Sequence, residues 1–330
     1  MKDQLQSAVP HGSAPHDLNA MSRLGHHLEN VIRWVTEIPA AVLVIAEILL
    51  LLANVFFRYV LHAPLMWGDE LASLLFIWLA MLGAVIALRR NEHMRLTTFI
   101  AKMPKRRQIF LDTFASMIVL FLMLILVHPA WEYVVEEWVI TTPALEIPHS
   151  IRVAAVAVGI TLMLAITVSR LLERARLVDF LVSASALGGT AILLLLAKPY
   201  LPQLGSFNLV IFFLIGVTCM VTIGVPIMSA FGLATVSYLL AATSTPTLVM
   251  IGRLDEGMSS AILLAVPLFV FLGALIESMG MASAMIRFLA TLIGHVRGGL
   301  SYVLVGAMYL VSGISGSKTA DMAAVAPALV

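Results

Sequence analysis

Cysteine is almost absent: the 330 residues contain one, Cys219, inside an apolar stretch. A single thiol excludes an internal disulfide framework and any multi-cysteine metal site. Charge is scarce too, at 12% of residues against about a quarter in an ordinary soluble domain. The formal net charge of +1 supplies no global field for nucleic acid, which removes that class of partner. No phosphate-cradling glycine loop is present, so ATP hydrolysis within this chain is excluded. His62, His93, His128, His149 and His295 are scattered near predicted helix ends without the paired spacing of a zinc site, and they read as surface or interfacial residues.

What is abundant is apolar. Hydrophobic residues make up 61% of the chain, and the mean hydropathy is +1.00. A hydrocarbon core of roughly 30 Å needs about 20 apolar residues per helical span, and several stretches meet that length. The expected fold is therefore an all-α polytopic membrane protein. The first 38 residues hold Lys2, Arg23 and Arg33 but no apolar run. They lack the layout of a cleaved secretory signal and read as a solvated cytoplasmic segment.

Spans are expected at about 39–59 and 70–88, joined by a short turn at His62, Ala63 and Pro64. A basic cluster follows, from Arg89, Arg90 and Arg95 to Lys105, Arg106 and Arg107, and marks the cytoplasmic side. A third span begins near Ile109 and passes Trp131 to an acidic end at Glu132, Glu136 and Glu137, expected on the periplasmic side. The fourth, about 151–171, returns to Arg170, Arg174 and Arg176. A fifth, about 180–197, ends in a connector at Lys198, Pro199, Tyr200, Leu201 and Pro202. Trp67, Trp78, Trp131 and Trp138 suit interfacial anchoring or helix packing.

Beyond Ser206 glycine and proline interrupt the apolar segments, at Gly216, Gly224, Pro226, Gly232, Pro267, Gly273 and Gly280. Broken backbone at membrane depth is tolerated only when buried in protein or lining a wet cavity, and it points to a transporter site. Spans at about 206–222 and 225–243 are expected, with a further crossing or an interfacial helix within 244–259. The interval 260–289, with Pro267, Gly273, Glu277 and Gly280, reads as a re-entrant hairpin. Glu47, in the middle of the first span, is expected to contact a neighbouring helix.

The string SGISGSKTAD, Ser312 to Asp321, places small residues, hydroxyls, one Lys and one Asp between apolar segments. Gly313 and Gly316 let carbonyls turn out of the helical ladder, while Ser312, Ser315, Ser317 and Thr319 add hydroxyl oxygens. Oxygen-only ligands suit a hard cation such as sodium. A helix N-terminus exposed at the break would favour an anionic group such as a carboxylate. Lys318 and Asp321, three apart, share a helical face and can pair. Close helix packing through small residues is the bland alternative.

Residues 54–96, NVFFRYVLHAPLMWGDELASLLFIWLAMLGAVIALRRNEHMRL, resemble the small membrane subunit of tripartite ATP-independent periplasmic (TRAP) transporters, through Asn54, Arg58, Tyr59, Pro64, Trp67, Glu70, Gly83 and His93. From about residue 207, GVPIMSAFGLA, VPLFVFLGALIESMG, GHVRGGLSYV and SGISGSKTAD resemble the large membrane subunit in the same order. The chain is thus similar to the fused form of that family.

The resemblance implies four parts: a cytoplasmic segment 1–38, a four-helix small domain 39–175, a linking helix and connector 176–205, and the start of the large transport domain, 206–330. It implies an inverted-repeat, elevator-type transporter, not an enzyme, in the bacterial inner membrane. Sodium-coupled uptake of an organic anion such as a C4-dicarboxylate, delivered by a periplasmic substrate-binding protein, is the implied activity. The implied sodium site maps onto Ser312, Gly313, Ser315, Gly316, Ser317 and Asp321, with Lys318 and Thr319 as substrate candidates. The final apolar stretch stops without a cap, so a truncated chain containing only the first repeat is expected. Two rival readings are a stand-alone carboxylate carrier and a helical anchor of a membrane redox complex.

Overall fold

The computed structural model describes residues 16–96, 100–174, 176–296, 298–299, 301–303, 305–306 and 308–309. Among the described residues there are helices and no strand, with one isolated bridge between Thr141 and Pro148. Among the described residues five helices are long and apolar enough to cross a membrane: α1 (His16–Tyr59, apolar from Val31), α2 (Gly68–Arg90), α3 (Lys105–Glu136), α4 (Ser150–Arg174) and α5 (Leu177–Ala197). The all-α polytopic class follows directly.

The first helix reaches back into the segment 1–38 that was expected as a solvated lead. It starts at His16, and Pro39 lies inside it. A polar stretch can continue an apolar helix outward, and hydropathy alone does not see it. Proline removes one ladder hydrogen bond, a loss tolerated in membrane helices when nearby hydroxyls re-satisfy the backbone. The carbonyl that Pro39 cannot bond is that of Val35; the Thr36 hydroxyl donates one turn earlier, to the Ile32 carbonyl at 2.7 Å.

The interval read as one span from 206 to 222 is composite. A short α6 (Phe207–Leu209) runs into a π-helical turn at Val210–Gly216 and then α7 (Val217–Ile223), followed by α8 (Ile227–Ala242). Next come α9 (Thr247–Met258), α10 (Ala261–Leu264), α11 (Val266–Ser278) and α12 (Met281–Ile293). The helix-turn-helix α11–α12 occupies the interval expected for the hairpin and turns at Gly280, whose φ is +69°. Pro267 falls at the second position of α11, where no intrahelical N–H bond is lost.

The chain divides into two compact units, 1–40 with 80–141 and 147–255, and 41–79 with 142–146 and 256–330. In the first, α3 packs along α4, burying Ile118, Leu122 and Leu126 on one helix and Val153, Val156 and Ile160 on the other. α3 also packs on α8 through a cluster of Ala115, Ile118, Val217, Val225, Ala230 and Ala234. Lipid is as apolar as leucine, so such a seam is held by close contact of small residues rather than by hydrophobic transfer. α5 covers parts of α3 and α8 and leaves Leu193, Leu195 and Leu196 exposed, a face suited to lipid.

The break between α7 and α8 is sealed from within the first unit. Gly224 ends α7 at φ +92°, the left-handed region that side chains avoid. Its N–H donates to Val221 O at 3.0 Å, and the next N–H, of the fully buried Val225, donates to Met220 O at 3.1 Å. Pro226 opens α8, and the first free amide, Ile227 N–H, donates to the Met94 carbonyl of the α2–α3 connection at 3.0 Å. A Cβ on Gly224 would collide with Ile100 Cδ1 from that same connection. We expect Gly224→Ala to lose about 1–2 kcal/mol from the backbone strain alone. Thermal unfolding in lipid nanodiscs should show a clear drop, of which Ile100→Ala in the same protein restores only the part due to collision.

The second unit joins the facing ends of α1 and α2. Asn54 Nδ2 donates to Asp69 Oδ1 at 2.6 Å, and Arg58 reaches Asp69 Oδ2 at 3.1 Å. Glu70, in the first turn of α2, accepts the backbone N–H groups of Ala144 at 2.8 Å and Leu145 at 3.3 Å.

Candidate functional site

The sequence-predicted ion and substrate residues, Ser312, Gly313, Ser315, Gly316, Ser317, Lys318, Thr319 and Asp321, lie outside the described residues. The described chain instead shows what the other singled-out positions do. Asn54, Arg58 and Glu70 of the small-subunit string are brought together at the α1–α2 turn, where Asp69 ties the first two and Glu70 holds the 142–146 segment. Glu47 is fully buried, and neither carboxylate oxygen has a hydrogen-bond partner among the described residues.

The basic cluster after α2 is built, not merely topological. Glu37 on α1 pairs with Arg33 at 3.2 Å, with Arg90 at 3.0 Å and with Arg89. Arg170 on α4 caps the C-terminus of α2, donating to the Leu88 carbonyl at 2.8 Å, to the Asn91 side-chain oxygen at 2.9 Å and to the Arg89 carbonyl. Leu88 O also accepts the Asn91 N–H at 3.1 Å, and a cation at these last carbonyls meets the negative end of the helix dipole. Asn91 itself turns the chain at φ +57°, a conformation asparagine tolerates better than most residues. Along the sequence Arg170 groups with Arg174 and Arg176. Its capping role depends on a contact 82 residues away that no local spacing displays.

Beside this cap lies a cleft of about 70 Å³ lined by Asn91, His93, Arg95, Ser116, Thr167 and Arg170 with apolar walls from Leu88, Val119 and Pro226. Arg95 is held by Asp112 at 3.1 Å. His93 is half-buried: desolvation pushes its pKa below the usual value, a hydrogen bond to the Ala84 backbone opposes this, and Nε2 has no partner among the described residues.

A lowered folded-state pKa means that the unfolded chain binds the proton more readily. The neutral imidazole's contribution is therefore complete above the unfolded value near 6.5 and is lost as pH falls from there through the folded value. Thermal unfolding followed from pH 7.5 to pH 5 should show stability falling through this window, and His93→Gln should flatten the acid limb. An unchanged limb in the variant would remove His93 from the account.

At the other end of α3, charges converge from three helical segments. Arg152, in the first turn of α4, reaches Asp255 on α9 with two donors at 3.2 Å each. His149 places Nδ1 2.7 Å from Glu137 Oε2 and Nε2 3.8 Å from Asp255 Oδ2. No spacing in the sequence pairs any of these four residues; the charged run Arg253, Asp255 and Glu256 near the end of α9 was the available signal.

The described helices form a multi-pass membrane protein whose later apolar segments are broken by glycine and proline. Two family models match, described as the DctQ component of tripartite ATP-independent periplasmic transporters over residues 47–177 and the DctM component over residues 214–330. The chain belongs to this family of inner-membrane transporter proteins, with small- and large-permease portions in one polypeptide.

The sialic acid TRAP transporter permease protein SiaT of Haemophilus influenzae is 28% identical over 293 residues, covering 82% of this chain and 46% of the relative. The isethionate TRAP transporter permease protein DctMQ of Oleidesulfovibrio alaskensis is 25% identical over 305 residues, covering 85% of this chain and 45% of the relative. The 2,3-diketo-L-gulonate TRAP transporter large permease protein YiaN of Escherichia coli is 36% identical over 110 residues, covering 33% of this chain and 26% of the relative. The chain spans about half the length of the first two.

Proposed function

We propose that this chain is part of a sodium-coupled importer of an organic anion delivered by a periplasmic substrate-binding protein, working by an elevator-like movement. The observation that carries the reading is the match of both permease components, in order, within one chain. Chemistry in the sequence supports it. The break at Ser312, Gly313, Ser315, Gly316 and Ser317 offers hydroxyl and carbonyl oxygens for sodium, with Asp321 as supporting charge. Lys318 and Thr319 offer a cation and a hydroxyl to an anionic solute.

Relatives named for sialic acid, isethionate and 2,3-diketo-L-gulonate span carboxylate and sulfonate anions. A carboxylate is the class we assign to this chain, and Lys318 is the residue that would meet it. Uptake into proteoliposomes containing the intact transporter should require both an inward sodium gradient and the cognate binding protein. Ser315→Ala and Asp321→Ala should each weaken the sodium dependence by about tenfold, the scale of one lost charge-assisted contact. Wild-type sodium dependence in both variants would remove the assigned ion site, and uptake without the binding protein would overturn the tripartite reading.

A further inference from the structure

In a chain with 12% charged residues, a part-buried ion pair between positions 103 apart is a specific device. α9 buries Ile251 completely and leaves Asp255 only 5% exposed, while Gly252 between them lies close to the Tyr133 hydroxyl of α3. Residues three and four apart on a helix share a face, so Ile251, Gly252 and Asp255 form the side of α9 that meets α3 and α4.

The two-pronged Arg152–Asp255 pair has the directional geometry that makes guanidinium–carboxylate contacts specific. His149 lies beside the pair, with Nδ1 2.7 Å from Glu137 and Nε2 3.8 Å from Asp255, beyond hydrogen-bond reach. Arg152, His149 and Glu137 all fall within the small-permease match and Asp255 within the large-permease match. Contacts between those portions also include the small-residue seam of α3 with α8 and the backbone bond from Ile227 to Met94. Small apolar surfaces in lipid set register weakly, whereas a paired charge sets it sharply.

Asp255 is also the last residue of the first compact unit; from Glu256 onward the chain belongs to the second, which contains α11 and α12. We propose that Asp255 is a positioning residue: Arg152 clamps it with two hydrogen bonds so that the small-permease portion fixes the end of α9, where the chain leaves the first compact unit. This rests on the transport reading only for its uptake arm.

The test is amide exchange across residues 247–258 in the intact transporter in lipid nanodiscs, combined with uptake. Asp255→Asn keeps the side-chain shape and removes the charge. Exchange of that segment should rise at least about tenfold while the interiors of α3 and α4 stay protected. The maximal uptake rate should fall by about tenfold with the half-saturating concentration of loaded binding protein unchanged. Asp255→Glu should restore part of both.

If Asp255→Asn does not fold, Arg152→Lys carries the same test, since it keeps the charge and loses the two-pronged geometry. Wild-type exchange in the folded variant overturns the clamp, and raised exchange with an unchanged maximal rate overturns the positioning role. No uptake by the wild-type protein would instead sink the transport reading, and the exchange arm would still decide this inference.

Discussion

A backbone amide or carbonyl freed in a buried helix break has no water to turn to, and the structure finds it a partner. The demand is strongest where α7 gives way to α8, because Gly224 and Pro226 together interrupt the helical ladder. The answer comes from a distant part of the sequence: the α2–α3 connection supplies the Met94 carbonyl and packs Ile100 against the glycine. That connection is itself held, since Arg170 satisfies the last carbonyls of α2 and Asp112 holds Arg95. A proline and glycine break in the large-permease portion is thus stabilised by residues of the small-permease portion.

The same division of labour recurs at the other end of α3, where polar contacts replace backbone ones. Seams between α3, α4 and α8 rely on small residues and close packing, which in lipid bring dispersion energy and little specificity. Charged clusters at Glu37 with Arg89 and Arg90, and at Arg152 with Asp255, supply direction at their ends. α5, with its exposed leucines, links the two portions in sequence, while α3 provides the surface on which they meet.

The long spans were legible because a run of about twenty apolar residues has the length of the hydrocarbon core and little use elsewhere, and α2 to α5 lie close to where hydropathy places them. The start of α1 at His16 was not, since the polar stretch before Val31 carries no periodic or apolar signal. Composite helix 207–223, with its π-helical turn, was hidden in an apolar run whose one glycine, Gly216, does not signal a change of ladder. Breakers told more: Gly224 with Pro226 and Gly280 mark turns in both sequence and structure. Site residues divided along a different line. The motif residues Asn54, Arg58 and Glu70 were visible as a resemblance, but their joint action through Asp69 and the 142–146 segment needed the fold. Arg170, Arg152 and Asp255 act across contacts that no local pattern encodes. The oxygen-rich string from Ser312 to Asp321 stands on its chemistry, outside the described residues.

The most direct test of the account is amide exchange at Ile227 in the intact transporter in a bilayer. A bond to the Met94 carbonyl in a sealed break predicts protection comparable to the interior of α8, lost when Met94 to Ile100 is replaced by a flexible linker of equal length. Exchange at Ile227 as fast as in an open loop of the wild-type protein would contradict it, and would leave the break without the partner on which the rest of the structure depends.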